Sequence, residues 1–414
     1  MNVSIRYKNM INPIADIHDY QVSNLVNKLL SFLGRKEVEK CLQKYSTSLR
    51  SSGPVFGEYY LKNRHPWWNA ISEFFEIQKS GKSIRRNLTE GLKILAADAK
   101  KIIILGKLMP ESIRDKYRRD LVDDNRARDY LLELQIAWHF FLKGYEIKWH
   151  DAGSGSHSEF LIKAPELEFN VECKRISVDA SKRIRRRDFY RLAEKVIPKI
   201  ELMDYSGAID IVLKDRLHGN DRFLNELASQ VINKVSTGRI MGVFQIPLGS
   251  LYLELVPANK NPVDLYDRFN SLWKRKPQQA HGAIFARSHN GRPIDPVEMT
   301  LVSDKSDRVL DGIRERISKA RKAQLDESKP ALIVCFLEGI TDLRELATDS
   351  GLQIMTCSLL AKESFSHIAA IAYSSETLVE KSSTSEKFFN QGLIFDNPNC
   401  KFKNAKEFQF LSGF

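Results

Sequence analysis

The sequence has few cysteines and no long apolar run, and both absences exclude classes of protein. Its five cysteines are odd in number and widely separated, so they indicate neither a disulfide framework nor the closely spaced ligand pairs of a zinc site. No apolar run reaches the roughly 18 residues that a membrane-spanning helix needs. The first residues lack the basic and then apolar pattern of a secretory signal. We expect a cytoplasmic protein without membrane contact.

Signatures of nucleotide binding and of nucleophilic catalysis are also missing. The glycine- and serine-rich stretch at 153–156 has neither the lysine nor the following helix of a phosphate-binding loop. No glycine-flanked serine or cysteine elbow occurs. ATP use and acyl-enzyme chemistry are therefore not indicated.

Length and charge favour a multidomain protein with a polyanionic partner. A chain of 414 residues exceeds what one core usually organises. The net charge is +12 and the isoelectric point is near 9.3, which suits a nucleic acid because lysine and arginine release counterions when they contact phosphate. Of the two nucleic acids, we expect DNA rather than RNA to be the partner.

One acidic residue lies on the apolar side of a predicted helix. Apolar residues recur at helical spacing across 129–143, and Glu133 stands three and seven residues before Ile136 and Phe140. Glu133 should therefore face inward. A buried carboxylate without a partner costs several kcal/mol, in order of magnitude, so a cation should accompany it.

Two strand patterns follow this helix, at 159–163 and 168–176. In the second, alternation places Glu172 and Lys174 on one face and Cys173 on the other. Glu159 opens the first strand. Carboxylates from two neighbouring strands and a packed helix can hold a hard divalent cation, which prefers oxygen ligands.

This arrangement resembles the PD-(D/E)XK, or restriction-endonuclease-like, nuclease superfamily. The resemblance implies an α/β fold with a mixed sheet flanked by helices, in the order helix, three strands, helix, strand. It implies phosphodiester hydrolysis with Mg²⁺, or Mn²⁺ as a substitute. Glu133, Glu159 and Glu172 would bind the metal, and Lys174 would assist the attacking water. The last helix and strand are predicted at 191–203 and 208–213.

The chain departs from the family at the first metal position. The family usually has Asp after Pro there, whereas this chain has Ser158-Glu159. Asp151, in the preceding loop, remains an alternative ligand.

A basic run follows the proposed site and suggests phosphate contacts. We predict that its members bind nucleic acid, although a solvated helix face is an equal alternative. They are Arg175, Lys182, Arg183, Arg185, Arg186, Arg187 and Arg191. Gln324, in a helix predicted at 309–324, is a secondary candidate because some members of the superfamily place a glutamine-bearing helix over the active site.

The predicted organisation is a helical domain over 1–118 and a nuclease-like α/β domain with a C-terminal extension over 119–414. The predicted function is a metal-dependent DNA endonuclease in bacterial restriction or defence, for which a homodimer is plausible. One alternative is a catalytically inactive nuclease-fold module that binds DNA. Another is a protein-interaction module.

Overall fold

The chain forms two compact units, and each is built from separate stretches of sequence. The computed structural model describes residues 5–11, 17–150, 158–257, 281–289, 292–338, 350–381 and 386–411. Unit 1 contains Met1–Tyr45, Arg64–Val178 and Leu310–Phe414. Unit 2 contains Ser46–Asn63 and Asp179–Val309. The predicted domain boundary between residues 118 and 119 falls inside a helix of unit 1, and the compact units divide elsewhere.

The described residues contain α-helices and β-strands of ordinary length, numbered here in chain order. The helices are α1 Val22–Leu33, α2 Arg35–Ser51, α3 Pro54–Tyr59, α4 Trp68–Lys79, α5 Glu90–Leu105, α6 Glu111–Asp120, α7 Ala127–Leu142, α8 Arg186–Leu202, α9 Asp221–Ser236, α10 Val309–Gln324, α11 Ser350–Leu360 and α12 Lys403–Glu407. The strands are β1 Ile5–Ile11, β2 Glu146–Trp149, β3 Phe160–Lys163, β4 Glu168–Ser177, β5 Tyr205–Leu213, β6 Met241–Ile246, β7 Gly249–Pro257, β8 His281–His289, β9 Arg292–Ser303, β10 Ala331–Glu338, β11 Ile368–Lys381 and β12 Glu386–Asp396.

Unit 1 is organised around a mixed sheet of seven strands in the order β1-β12-β11-β10-β4-β3-β2. Strands β2, β3 and β4 form an antiparallel meander, whereas β10 lies parallel to both β4 and β11. Helix α7 packs against β4 and β2. The predicted α/β class, with mixed sheets flanked by helices, is confirmed.

The interior of unit 1 is aromatic and continues from the sheet into helices α1, α4 and α5. Phe140 of α7 meets Phe169 of β4 edge to face at 5.4 Å, and Phe169 in turn meets Phe410 at 4.9 Å. Edge-to-face aromatic pairs add about 1 kcal/mol each beyond the area they bury. Trp67, directly before α4, and Phe74 of α4 belong to the same buried cluster. This packing holds α7 at one angle on the sheet, which sets where Glu133 points.

Unit 2 has its own five-stranded sheet, in the order β6-β7-β5-β9-β8, and its own apolar core. Helices α8 and α9 pack together, and α3 packs on α8. The carboxylate of Glu194 on α8 accepts hydrogen bonds from the backbone N–H groups of Val55 and Phe56, at 2.8 and 2.7 Å. An anion at the first turn of α3 is favourable because those N–H groups have no partner within the helix.

The helix and strand predicted to complete the site's sheet belong elsewhere. They exist as α8 and β5, but both lie in unit 2, and β5 pairs with β7 and β9. In unit 1 the strand beside β4 is β10, which follows α10. The prediction failed because the main segment of unit 2 is inserted between β4 and α10, so the next elements in sequence are not neighbours in space.

Replacing Thr89 with alanine is expected to lower the free energy of unfolding by about 1 kcal/mol. Thr89 is the N-cap of α5, and its hydroxyl accepts from the Leu92 N–H at 3.4 Å. Urea denaturation followed by tryptophan fluorescence measures the loss. The Thr89→Ser variant keeps the hydroxyl and should retain most of the stability; equal losses in both variants would contradict the capping role.

Candidate functional site

Glu133 faces the interior of unit 1, as the helical periodicity predicts. It lies on α7 with 7% of its surface exposed. Its carboxylate accepts a hydrogen bond from the hydroxyl of Tyr117 on α6. Burial, followed by the charge of Glu159, raises the pKa of Glu133 well above its usual value. The site therefore contains a carboxylate that is costly to ionise without a further positive charge.

Glu159 is held beside β4 by its own backbone. Its N–H donates to the Val171 carbonyl at 3.1 Å, and its carbonyl accepts from the His150 N–H at 3.3 Å. These bonds extend the β2-β3-β4 ladder by one residue, to the position directly before β3. Since Val171 precedes Glu172, the ladder places the two acids on neighbouring strands at adjacent levels.

Glu172 and Lys174 share one face of β4, as the alternation predicts. Glu172 is 0% exposed. The Lys174 ammonium contacts the Glu172 carboxylate directly and lies 3.8 Å from Glu159 Oε1. One ammonium therefore serves two carboxylates. We call Glu133, Glu159, Glu172 and Lys174 the carboxylate centre.

The carboxylate centre has three acids and one ammonium, so one positive charge cannot neutralise all of its carboxylates. Burial raises the pKa of Glu172 to about 8 against the lowering effect of Lys174. Burial also raises the pKa of Glu159, again against Lys174. Burial lowers the pKa of Lys174, but the two carboxylates outweigh it and the net shift is upward. Lys174 therefore stays protonated, while the acids favour either a proton or an added cation.

Two residues of α6 that the sequence analysis did not assign to the site also reach it. Tyr117 donates to Glu133, and the charge of the neighbouring Lys116 lowers the pKa of both Glu133 and Glu159. The available signal was weak: Ile113, Tyr117 and Leu121 recur at a spacing of four, which predicts a buried face for Tyr117 but no partner.

Arg175 makes ion pairs and a hydrogen bond with other residues of unit 1. Its guanidinium lies 2.7 Å from Asp129 Oδ1 and 3.6 Å from Glu338 Oε1, and it donates to the Asn125 carbonyl at 2.9 Å. These contacts connect β4 to the start of α7 and to β10. The side chain thus holds together the elements around the carboxylate centre, and its predicted contact with nucleic acid stays a prediction.

The rest of the predicted basic run lies in unit 2. Arg183 contacts Asp215 at 3.5 Å, and Arg191 contacts Asp188 at 3.5 Å and Asp221 at 3.1 Å, so both hold unit 2 together. Lys182 is partly exposed. The exposed members, Arg185, Arg186 and Arg187, stand at the start of α8.

Two further candidates are not brought to the centre by any contact described. Gln324 is the last residue of α10 and is partly buried in unit 1. Asp151, the alternative first ligand, lies outside the described residues. Both assignments stay predictions.

The centre has the donor chemistry of a hard-cation site. Its acids supply only oxygen ligands, which Mg²⁺ and Mn²⁺ prefer. Within the described part of the chain, no group of three or more His, Cys, Asp or Glu side chains is already arranged to hold a metal ion. Because the Lys174 ammonium already contacts Glu172 and lies near Glu159, a cation would have to compete with it for the carboxylates.

Comparison with known proteins gives one informative similarity. No protein-family model matches the chain, and no solved structure matches it. The chain is 28% identical over 135 residues to an arginine–tRNA ligase of a Nitratiruptor species. The match covers 32% of this chain and 23% of the ligase, so the chain spans less than a quarter of that relative.

This similarity overturns the predicted activity. The matched protein is a ligase, whereas the nuclease resemblance predicted a hydrolase, namely a Mg²⁺-dependent DNA endonuclease of restriction or defence. That prediction is wrong. It depended on a short Glu-x-Lys pattern and its preceding acid, and the same groups can bind a cation or pair with each other without cleaving a phosphodiester.

No helix among the described residues has the length and apolar character to cross a bilayer.

Proposed function

We propose that the chain binds RNA of the transfer-RNA class and that it does so with a divalent cation held at the carboxylate centre. The observation that carries the proposal is that three acids stand beside one ammonium there. Glu133 and Glu172 are buried and Glu159 is partly buried, while the Lys174 ammonium contacts Glu172 and lies 3.8 Å from Glu159 Oε1. A centre of this kind favours uptake of positive charge.

The carboxylates of Glu133, Glu159 and Glu172 would hold Mg²⁺. Bound there, Mg²⁺ supplies positive charge that attracts a phosphate oxygen of the partner. Lys174 offsets part of the charge of Glu159 and Glu172 and favours the ionised form of both. Arg175 fixes the end of β4 through Asp129 and so keeps these side chains in place.

Transfer RNA is the partner class that the similarity suggests, because the relative is named for a tRNA substrate. The net charge of +12 supports a nucleic-acid partner independently. Both units expose cations suited to phosphate contacts. In unit 1 they include Arg316, Lys319 and Lys322 on α10, and in unit 2 they include Arg185, Arg186 and Arg187 at the start of α8. The ligase activity of the relative is not proposed, because the match covers 23% of that protein.

We further propose that unit 1 has a restriction-endonuclease-like core used for binding. The order α7, β2, β3, β4, α10, β10 supports this, with an antiparallel meander and β10 parallel to β4. Glu159 stands directly before β3, and Glu172 lies on the neighbouring strand β4. A fold does not determine chemistry, so this scaffold is compatible with binding alone.

We expect that Mn²⁺ and tRNA both bind, and that removal of the cation weakens RNA binding because the positive charge beside the phosphate is lost. Mn²⁺ affinity is measured by electron paramagnetic resonance. RNA affinity is measured by gel shift with tRNA, and with duplex DNA of equal charge, in Mg²⁺ and in EDTA. The tRNA should bind more tightly than DNA and be recovered intact.

Matched variants separate the centre from general charge effects. Glu159→Gln removes one centre carboxylate, whereas Glu166→Gln removes an exposed carboxylate from the turn between β3 and β4. We expect only the first variant to lose Mn²⁺ affinity and Mg²⁺-dependent RNA binding. Equal binding of DNA and tRNA, or RNA binding indifferent to EDTA, would contradict the proposal.

A further inference from the structure

Helix α6 brings a fully packed tyrosine to the carboxylate centre. Tyr117 is 3% exposed. Its ring meets Tyr130 at 4.6 Å and Trp149 at 5.6 Å, both edge to face. A ring held by two neighbours in this way has one orientation, and so the direction of its hydroxyl is set by packing.

The Tyr117 hydroxyl points at one acid of the centre. It donates a hydrogen bond to Oε2 of Glu133. A glutamate side chain has three rotatable bonds, so its carboxylate needs an external contact to stay in one place. Here that contact comes from a rigid donor in a different helix, 16 residues earlier in sequence.

The preceding residue on α6 carries charge toward the same acids. Lys116 is partly buried, and its ammonium lies 5.4 Å from the centre of the Tyr130 ring. Its charge acts on both Glu133 and Glu159. Helix α6 therefore presents a hydrogen-bond donor and a cation to the centre from a part of the sequence that precedes α7 and β4.

We propose that Tyr117 is a positioning residue for cation binding, which orients the Glu133 carboxylate as a ligand. The inference rests on the proposed function, since it assumes that Glu133 contributes to a cation site. Groups that orient metal ligands typically change metal affinity by about 10- to 100-fold when they are removed. The predicted N-terminal domain would then supply part of the site, rather than act as a separate module.

The test compares Mn²⁺ affinity of the full chain in Tyr117→Phe and Tyr130→Phe by electron paramagnetic resonance. Both changes remove one hydroxyl and keep the ring. The Tyr130 hydroxyl bonds Asp120, outside the centre, which makes this variant the matched control. We expect Tyr117→Phe to weaken Mn²⁺ binding by about tenfold and to alter the Mn²⁺ spectrum, whereas Tyr130→Phe changes neither.

A double-mutant cycle distinguishes positioning from a purely structural role. If Tyr117 acts through Glu133, then Tyr117→Phe should have no further effect on Mn²⁺ affinity in a Glu133→Gln background. Additive losses, or unchanged affinity in Tyr117→Phe, would overturn the inference while leaving the cation site in place. Failure of the unaltered chain to bind Mn²⁺ would overturn the proposed function itself. Circular dichroism and thermal midpoints confirm that each variant is folded.

Discussion

The Glu172→Gln variant is expected to be more stable than the unaltered protein at about pH 8 in the absence of metal, by on the order of 2 kcal/mol. Glu172 is 0% exposed, and burial raises its pKa to about 8 despite the contact with Lys174. A neutral amide of the same shape avoids the cost of burying a charge. Stabilisation by loss of a buried charge is typical of a residue kept for function.

The same variant should remove a pH dependence. A carboxyl whose pKa is higher in the folded protein than in the unfolded chain stabilises the fold fully below the unfolded pKa. That stability is lost as the pH rises through the folded pKa. For Glu172 the window runs from the ordinary value of 4.5 to about 8. The metal-free protein should lose up to about 4 kcal/mol across it, and Glu172→Gln should lose much less.

Urea denaturation in EDTA at about pH 5 and about pH 8 measures both effects. Glu168→Gln is the matched control, because Glu168 lies on the same strand but is exposed and paired with Lys329 at 2.8 Å. Its stability should change little at either pH. If Glu172→Gln were destabilised equally at both pH values, the Glu172–Lys174 pair would be a stabilising element of the fold.

The Lys174→Met variant is expected to lose on the order of 3 kcal/mol of stability at about pH 8. The methionine side chain fills similar space but leaves the Glu159 and Glu172 carboxylates without their shared ammonium. Acid should restore stability because the carboxylates can then be protonated. Added Mg²⁺ should also restore it, since a bound cation replaces the missing charge.

Thermal midpoints at two pH values, with and without Mg²⁺, measure this loss and its recovery. Lys163→Met is the matched control: Lys163 forms an exposed pair with Glu146 at 3.0 Å on neighbouring strands. Exposed pairs contribute little because water screens their attraction, so the control should show a small change that is insensitive to Mg²⁺. A Lys174→Met loss that neither acid nor Mg²⁺ recovers would indicate a packing defect instead.

The nuclease prediction assigned Glu172 and Lys174 to catalysis. The variants above test the same two side chains as buried charges. The Glu172 and Lys174 side chains share a face because strand side chains alternate, and that geometry was predicted correctly. Alternation says nothing about what the pair does. An ion pair, a cation site and a hydrolytic centre use the same residues at the same spacing, and the similarity to an arginine–tRNA ligase argues against hydrolysis.

The basic run likewise shows that sequence predicts where positive charge lies but not what it contacts. Arg175, Arg183 and Arg191 are close in sequence to exposed arginines, but each contacts acids of its own unit. Sequence composition counts positive charge without showing which side chains are already paired. Burial and partner geometry decide which cations remain available to a phosphate.

The local elements and the faces of the key residues are predictable from sequence patterns alone. Helical periodicity predicted α7 and the inward Glu133, and alternation predicted β4 with Glu172 and Lys174 on one side. These patterns are readable because one face of each element must leave water, which constrains residues only a few positions apart.

The distant segments that complete the site are visible only in the folded chain. Strand β10 lies beside β4 although unit 2 intervenes in sequence, and Tyr117 meets Glu133 across two helices. Such contacts depend on how apolar faces pack together, and many pairings of similar faces satisfy the same periodicity. The partners of the buried carboxylates therefore emerge from packing, where charge burial must be offset by whichever groups the fold brings near.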